Sequence, residues 1–462
     1  MAQLSDSTLV IFGITGDLSR KKLIPALYEL IRDHPERRLL IVGAALETTT
    51  ALEILTAAQP YIAELQPAVW ERLVAHFTYV PLNVTKLADF TALKNTIVAL
   101  EQLHHLPPRR LFYCATAAHF FGKITLNLHQ VGLLTRQAGA VADWQRIVYE
   151  KPFGIDLETA QQLNREILSV IDELQVFRID HYLTKEVVEN IAFLRFTNRI
   201  FEPLWNHYHI DWVQIVLSEA ATLSANSTYF DAYGTVRDVV QNHIMQLIAL
   251  VAMDTPQSLT GEGVYLAKAH ILKHLELSAG LLGQYHGYTQ LAGINPNSQT
   301  ETFAALRFLI AEQRWAGVPF YVRTGKALDQ KVTKICIKFK STHCLLPKNC
   351  PTSANYLVIA IYPDMGFKIQ LNTKKPGVRD EVVPVNLEYA YPAKSEQVYA
   401  GILSDILRGD RAVAVHMDEI EASWRLTDQI LAHKLPLYSY LPGSFGPAEL
   451  ADFAEQYRFE WV

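Results

Sequence analysis

The chain has 462 residues, 50% of them hydrophobic and 19% charged, a length that asks for two or three domains and a composition that excludes long disorder. Its formal net charge of -5 excludes nucleic acid as a general partner, so an anionic ligand has to meet a local cluster of cations.

From residue 9 to about 178 short β-branched runs alternate with helical stretches. "LVIF" precedes "LIPALYELI", "RRLLIVG" follows, "RRLFYCAT" precedes "FFGKITLNLHQVGLL", and "QRIVYE" precedes "LETAQQLNREI". That alternation predicts βα units on a parallel sheet, an α/β Rossmann-like domain. The first strand runs into "GITGDLSRKKL", where Gly13 and Gly16 bracket the turn and Thr15 offers a hydroxyl. Glycines there let backbone N–H groups approach a pyrophosphate at a helix amino terminus; a bare G-x-x-G also fits a tight βα turn with no ligand. Asp17 is read as organising the turn or beginning the helix, without a ligand role. The second strand ends in "IVGAALETT", placing Leu46 and Glu47 where an adenosine ribose is met, with Lys22 available from the first helix. An acid suits free ribose hydroxyls and an arginine suits a 2'-phosphate, so this end does not favour NADP.

In "YEKPFG" Pro152 restrains Lys151 toward an extended conformation at a strand end, which suits either a lysine reaching phosphate, a hydroxyl or the cofactor or an exposed lysine before a turn. "QVFRIDHYLTKEVVENI" reads as a strand entering a helix, with Asp180, His181, Tyr182 and Lys185 at the strand's carboxyl end. The domain boundary is expected near residues 175 to 180, giving a dinucleotide-binding domain over 1–178 and a second domain over 179–462.

Beyond residue 210, "WVQIVLSEA", "KVTKICIKFK", "NYLVIAIYP" and "FKIQLNTK" alternate with period two. They predict an α+β domain with a large, mostly antiparallel sheet. Glu219 ends the first of these strands. In "YGTVRDVVQNHIMQLIALVAM" Val236, Val240, His243 and Leu247 share one face at helical spacing, while Arg237, Asp238, Gln241 and Asn242 crowd beside them. A lone histidine on an apolar face is usually a core residue, but this polar patch demands partners, and an imidazole near a carboxylate is the ordinary device for taking a proton at neutral pH. Lys326 and Lys331 follow "GVPFYVRTG" and read generically as surface lysines. The stretch 263–288 shows only amphipathic character.

Cys114, Cys336, Cys344 and Cys350 make no disulfide framework, and Cys344, Cys350 and His343 are too few and too widely spaced for a metal site. The opening "MAQLSDSTLVIFGITG" has no basic segment before an apolar one, and the most apolar helical run, "IMQLIALVAM", is too short for a bilayer. A cytoplasmic protein without a membrane span is expected.

"GITGDLSRKKL", "YEKPFG", "RIDHYLTKEVVENI", "RFTNRIFEPLWN", "YFDAYGTVRDVVQNH", "GVPFYVRTGK" and "YLPGSFGP" together resemble the glucose-6-phosphate dehydrogenase family over residues 13 to beyond 440. The resemblance implies NADP as cofactor, alone or alongside NAD, against the reading of the second strand's end; it further implies no metal, and a homodimer or homotetramer. It implies that His243 is the general base and Asp180 its partner, and that His181, Tyr182 and Lys185 hold the substrate phosphate. Lys151 is implied as a contact shared by sugar and nicotinamide. Glu219, Asp238, Lys326 and Lys331 are implied as further substrate contacts, and Gly13, Thr15, Gly16, Lys22 and Glu47 fall on the cofactor side. A related oxidoreductase for another aldose, or a sugar-phosphate binder without activity, are the competing readings; the paired Asp180 and His243 argue against the second. The chain departs from the family pattern at Leu46, where an arginine is expected, at Ala117 and Ala118 for proline, between Glu219 and Tyr229, and at Ala400 and Gly401 for Glu and Arg.

Overall fold

A computed structural model describes residues 4–139, 141–180, 182–183, 186–223, 227–259, 262–341, 353–378, 381–391, 398–411 and 414–462. His343, Cys344 and Cys350 lie outside them. The chain divides into two compact units, one of Met1–Thr184, Thr260–Glu262 and Ser395–Ile420, the other of Lys185–Leu259, Gly263–Lys394 and Glu421–Val462.

The first unit is built on a six-stranded parallel sheet of β1 (Ser7–Phe12), β2 (Leu39–Ala45), β3 (Phe77–Pro81), β4 (Arg110–Cys114), β5 (Gln145–Glu150) and β6 (Val176–Ile179). The order β3-β2-β1-β4-β5-β6 is that of a Rossmann-like sheet. Strands β1, β2 and β4 are buried at every residue, as strands covered on both faces must be, and their apolar runs reflect it. Strand β3, "FTYVP", is absent from the predicted set. It is a sheet edge with Phe77 and Val80 buried and Pro81 exposed, too short and too close to a proline to signal itself.

A helix far along the chain, Val398–Arg408, completes this unit. Its Ile402, Leu403, Ile406 and Leu407 share a core with Leu23, Leu27, Val148 and Phe177. Arg146 on β5 donates to the carbonyls of Ile406 and Leu407 at 2.6 and 2.9 Å, satisfying the end of that helix. A linear division at residue 178 assigns this helix to the second domain, whereas its apolar face packs within the first.

The second unit carries a nine-stranded sheet: β7 (Ile210–Ser218), β8 (Leu275–Tyr285), β9 (Phe303–Ile310), β10 (Phe320–Gly325), β11 (Val332–Phe339), β12 (Tyr356–Tyr362), β13 (Gly366–Lys374), β14 (Val382–Ala390) and β15 (Leu437–Tyr440). It is mostly antiparallel, with β10 parallel to β7 and β15 parallel to β8. The stretch without a clear pattern after residue 262 resolves into a helix, Glu262–Lys273, followed at once by β8. The segment holding His243 is not a plain α-helix. Val236–Ile244 is a π-helix leading into the fully buried α-helix Met245–Ala252. Val236, Val240, His243 and Leu247 are all buried, as their spacing predicted. The wider π-turn stacks residues four and five apart, which places Asp238, Asn242 and His243 along one side.

Candidate active site

The predicted site residues fall into two sets, one on each unit. In the first unit the strand order reverses between β1 and β4, the place where such sheets bind dinucleotides. Gly13 lies there at φ +79°, and a Cβ on it would stand 2.4 Å from the Ala115 carbonyl oxygen, so only glycine permits this closeness. Gly16 closes the turn by donating its N–H to the Gly13 carbonyl at 3.1 Å, and the buried Ser19 hydroxyl donates to the same carbonyl at 3.0 Å. Asp17 organises the turn, accepting from Arg20 at 2.5 Å and Lys21 at 2.8 Å; the Lys21 bond chiefly holds its carboxyl below the usual range.

The end of β2 meets this turn. The Thr15 hydroxyl donates to the Glu47 carboxylate at 2.9 Å, and the Tyr79 hydroxyl fixes the Glu47 carbonyl at 2.5 Å. Leu46 is 70% exposed, and Lys22 is exposed on the helix side of the turn. The turn fits a dinucleotide: its backbone approach leaves no room for a side chain, and the Glu47 carboxylate beside it is an acceptor suited to hydroxyl donors. Ala117 stands at φ -61°, the value proline imposes, so this loop follows a proline-like path without the ring.

Strand β5 ends in Glu150, followed by the half-buried Lys151 and a cis peptide bond to Pro152. Sequence reasoning passed over Glu150. Its carboxyl accepts from the Tyr113 hydroxyl of β4 at 2.5 Å and is also hydrogen-bonded to Tyr399. Burial, reinforced by the charge of Asp180, pushes it up to about 7, against the opposing pull of the two hydroxyls and Lys151. The one sequence signal was an acid directly after the apolar run Ile147–Tyr149 at a strand end. After β6, the buried Asp180 accepts the Tyr182 N–H at 2.9 Å on its Oδ1, and its carbonyl accepts from Leu183 N–H at 3.0 Å, a compact turn. His181 and Lys185 lie outside the described residues.

In the second unit register does what sequence distance hides. Gly325 at the end of β10 and Val332 at the start of β11 both pair with Ser218, the last residue of β7. Glu219, Lys326 and Lys331, which adjoin those three positions, are thereby brought to one edge. Lys326 Nζ reaches Glu219 Oε2 at 2.8 Å and Asp238 Oδ2 at 3.9 Å, so the presumed surface lysine is the hub of an acidic pair. Lys331 Nζ stands 4.3 Å over the Tyr362 ring. Helix Val236–Ile244 starts from Gly234 at φ +70°, where a Cβ would stand 2.4 Å from Glu301 Oε1; that carboxylate accepts the Val236 N–H at 2.9 Å. One turn on, Asn242 donates to the Asp238 carbonyl at 3.0 Å and accepts the His243 N–H at 2.7 Å, fixing His243 in a buried position.

Residues 10–190 match the family model for the NAD binding domain of glucose-6-phosphate dehydrogenase, and residues 192–462 match the model for its C-terminal domain. The chain belongs to the glucose-6-phosphate dehydrogenase family. It is 36% identical to a glucose-6-phosphate 1-dehydrogenase of Bacillus subtilis over 99% of both chains, and 35% identical to one of Chlamydia muridarum over 95% of this chain and 93% of that protein. A solved glucose-6-phosphate dehydrogenase in complex with glucose 6-phosphate superposes with a TM-score of 0.91 at 30% identity over 100% of each chain. The Mycobacterium avium enzyme superposes at 0.87 with 34% identity, over 100% of this chain and 99% of that one. Both family domains are therefore present, and the nicotinamide-dinucleotide domain is the one whose turn is described above. Among the described residues no helix is long and apolar enough to cross a membrane.

Proposed function

We propose that the chain oxidises glucose 6-phosphate at C1 to the 6-phosphoglucono-lactone, the first step of the oxidative pentose phosphate route, as an NAD(P)-dependent dehydrogenase. The observation that carries this reading is the register-built group Glu219, Lys326, Lys331 and Asp238, which shares a unit with His243. His243 takes the proton of the C1 hydroxyl onto an imidazole nitrogen. A buried imidazolium needs a nearby negative charge, which is the proposed role of Asp180. Glu219 and Asp238 accept sugar hydroxyls, with Lys326 holding the two acids in place. Lys331, His181, Tyr182 and Lys185 supply the local cations and donors that a phosphate requires in a chain of net charge -5. Bound nicotinamide supplies the hydride acceptor; Gly13, Thr15, Gly16, Lys22, Glu47 and Lys151 are the residues to hold the dinucleotide. None of these roles calls on a metal.

The expected result is a kcat/KM for glucose 6-phosphate well above that for glucose in steady-state assays. Equal values defeat the phosphate assignment.

Both dinucleotides are proposed as cofactors, with NAD at least competitive. Glu47 already takes a hydroxyl donor at the turn, as it would from a free ribose, and a 2'-phosphate there meets like charge. Arg20 is committed to Asp17, which leaves Lys22 without the fork that guanidinium offers phosphate. Leu46→Arg is expected to move the ratio of kcat/KM values toward NADP by about tenfold, or roughly 1.4 kcal/mol. A parent that strongly prefers NADP and is unmoved by Leu46→Arg places the phosphate elsewhere and defeats the reading of the β2 end.

A homodimer or dimer of dimers is proposed from the outer strands of the second sheet. Edge strand β14 is largely exposed, with Val385, Leu387 and Tyr389 uncovered beside Leu371 of β13, a surface that a second copy would cover. A cytoplasmic setting fits the buried free thiols of Cys114 and Cys336.

A further inference from the structure

Helix Glu262–Lys273 carries His270 in its last turn, and His274 follows one turn on, immediately before β8. Residues four apart on a helix lie on one face. Strand β8 pairs antiparallel with β9, so that Leu275 faces Ile310, and the next residue, Ala311, donates its N–H to the His274 carbonyl at 2.9 Å. Glu312 comes directly after. Its own carbonyl accepts the Trp315 N–H at 3.0 Å, and Trp315 is fully buried with its indole donating to the Ala252 carbonyl at 2.8 Å. The backbones presenting all three side chains are therefore anchored.

The side chains converge. Glu312 Oε1 lies 2.8 Å from His270 Nε2 and 3.4 Å from His274 Nδ1, and one ligand atom from each residue falls within 4.8 Å of the others. Arg314, two residues past Glu312, is turned away to Asp254 at 2.9 Å, Glu202 at 2.5 Å and the Trp205 carbonyl at 2.7 Å. Ligand atoms around a tetrahedral zinc, with bonds of about 2.0–2.1 Å, stand roughly 3.3 Å apart, so rotamer-scale shifts close this set on an ion. His274 Nδ1 also lies 2.8 Å from the His270 carbonyl, so binding needs that ring turned or that contact released; at 38% side-chain exposure the ring has room for either.

We propose that His270, His274 and Glu312 form a binding site for a borderline divalent cation, zinc foremost, that clasps the end of helix Glu262–Lys273 to the turn after β9. Two imidazoles and one carboxylate select zinc or its congeners over calcium and magnesium, which take oxygen ligands. None of the three residues belongs to the set proposed for sugar or cofactor, so the clasp is a matter of stability and not of the reaction.

The test titrates the full-length protein, stripped with a chelator, with zinc chloride alone by calorimetry, beside a His270→Ala/His274→Ala double variant and Glu312→Gln. The parent is expected to show one tight event per chain, zinc should raise its melting temperature, and cobalt(II) should give the visible absorption of a tetrahedral site. The double variant is expected to lose all three, and Glu312→Gln to bind at least about tenfold more weakly. Because the chain has 16 histidines, the comparison with the double variant separates this site from weak general binding. A parent that binds zinc less than tenfold more tightly than the double variant overturns the proposal. The three side chains are 30% to 50% exposed, so the variants should fold, and melting temperatures without zinc check that directly.

Discussion

His243→Ala is expected to lower kcat by about a hundredfold or more, the scale of a lost general base, while leaving the fold intact. His243 is held from its backbone side by Asn242 and sits on a π-turn continuous with the helix Met245–Ala252, whose eight buried residues keep the segment in place whatever stands at 243. A structural core histidine would show the reverse pattern, with lost stability and near-parental turnover per folded molecule. The companion change, Asp180→Asn, separates charge from shape. The amide oxygen can still accept the Tyr182 N–H that Oδ1 now accepts at 2.9 Å, so the turn after β6 survives, while the charge proposed to favour the imidazolium is removed. Asp180→Asn should therefore lower kcat with little change in melting temperature. In the pH profile of kcat/KM the acid limb should flatten in His243→Ala. Near-parental turnover in a folded His243→Ala protein defeats the assignment.

What the sequence made legible was whatever lies close along the chain. Gly13 and Gly16 signal their turn because the strand before and the helix after are both local, and the motif "RIDHYLTKE" announced a strand end carrying Asp180. The contacts that assemble a site were not legible, because they join distant positions. Lys326 reads as a surface lysine until the parallel pairing of β10 with β7 sets it 2.8 Å from Glu219, a partner 107 residues away. Thr15 and Glu47 were each singled out, yet the bond between them depends on how β2 ends beside β1. The helix Val398–Arg408 carries an ordinary amphipathic pattern, and nothing in that pattern says which sheet it covers. The π-turn at His243 escaped for another reason: its residues fit α-helical spacing well enough, and the extra residue per turn shows only in the hydrogen bonds.

Glu150→Gln is expected to remove a pH dependence of stability amounting to about 3 kcal/mol. The Glu150 carboxyl is half-buried at the end of β5, facing Tyr113 from β4, Tyr399 from helix Val398–Arg408, Asp180 after β6 and its own neighbour Lys151. Burial, with the charge of Asp180, raises it from 4.5 in the unfolded chain to about 7 in the folded one. A raised folded value means that the folded state binds this proton more tightly, so the group's contribution is fully present below pH 4.5 and is lost as pH rises through 7. At about 1.4 kcal/mol per pH unit the difference between those two values gives roughly 3 kcal/mol, all of it gone above pH 8 or so. Glutamine keeps the acceptor for the Tyr113 hydroxyl and cannot ionise, so the difference in unfolding free energy between Glu150→Gln and the parent should grow in favour of the variant from pH 5 to pH 8. Denaturant titrations of both proteins across that range measure it. Parallel curves would mean that Glu150 ionises freely in the fold, with Lys151 and the two tyrosines outweighing burial. A divergence of the stated sign would instead make the residue beside Lys151 a carboxyl that exchanges its proton near neutrality, and the position of Lys151 would then depend on pH through its neighbour.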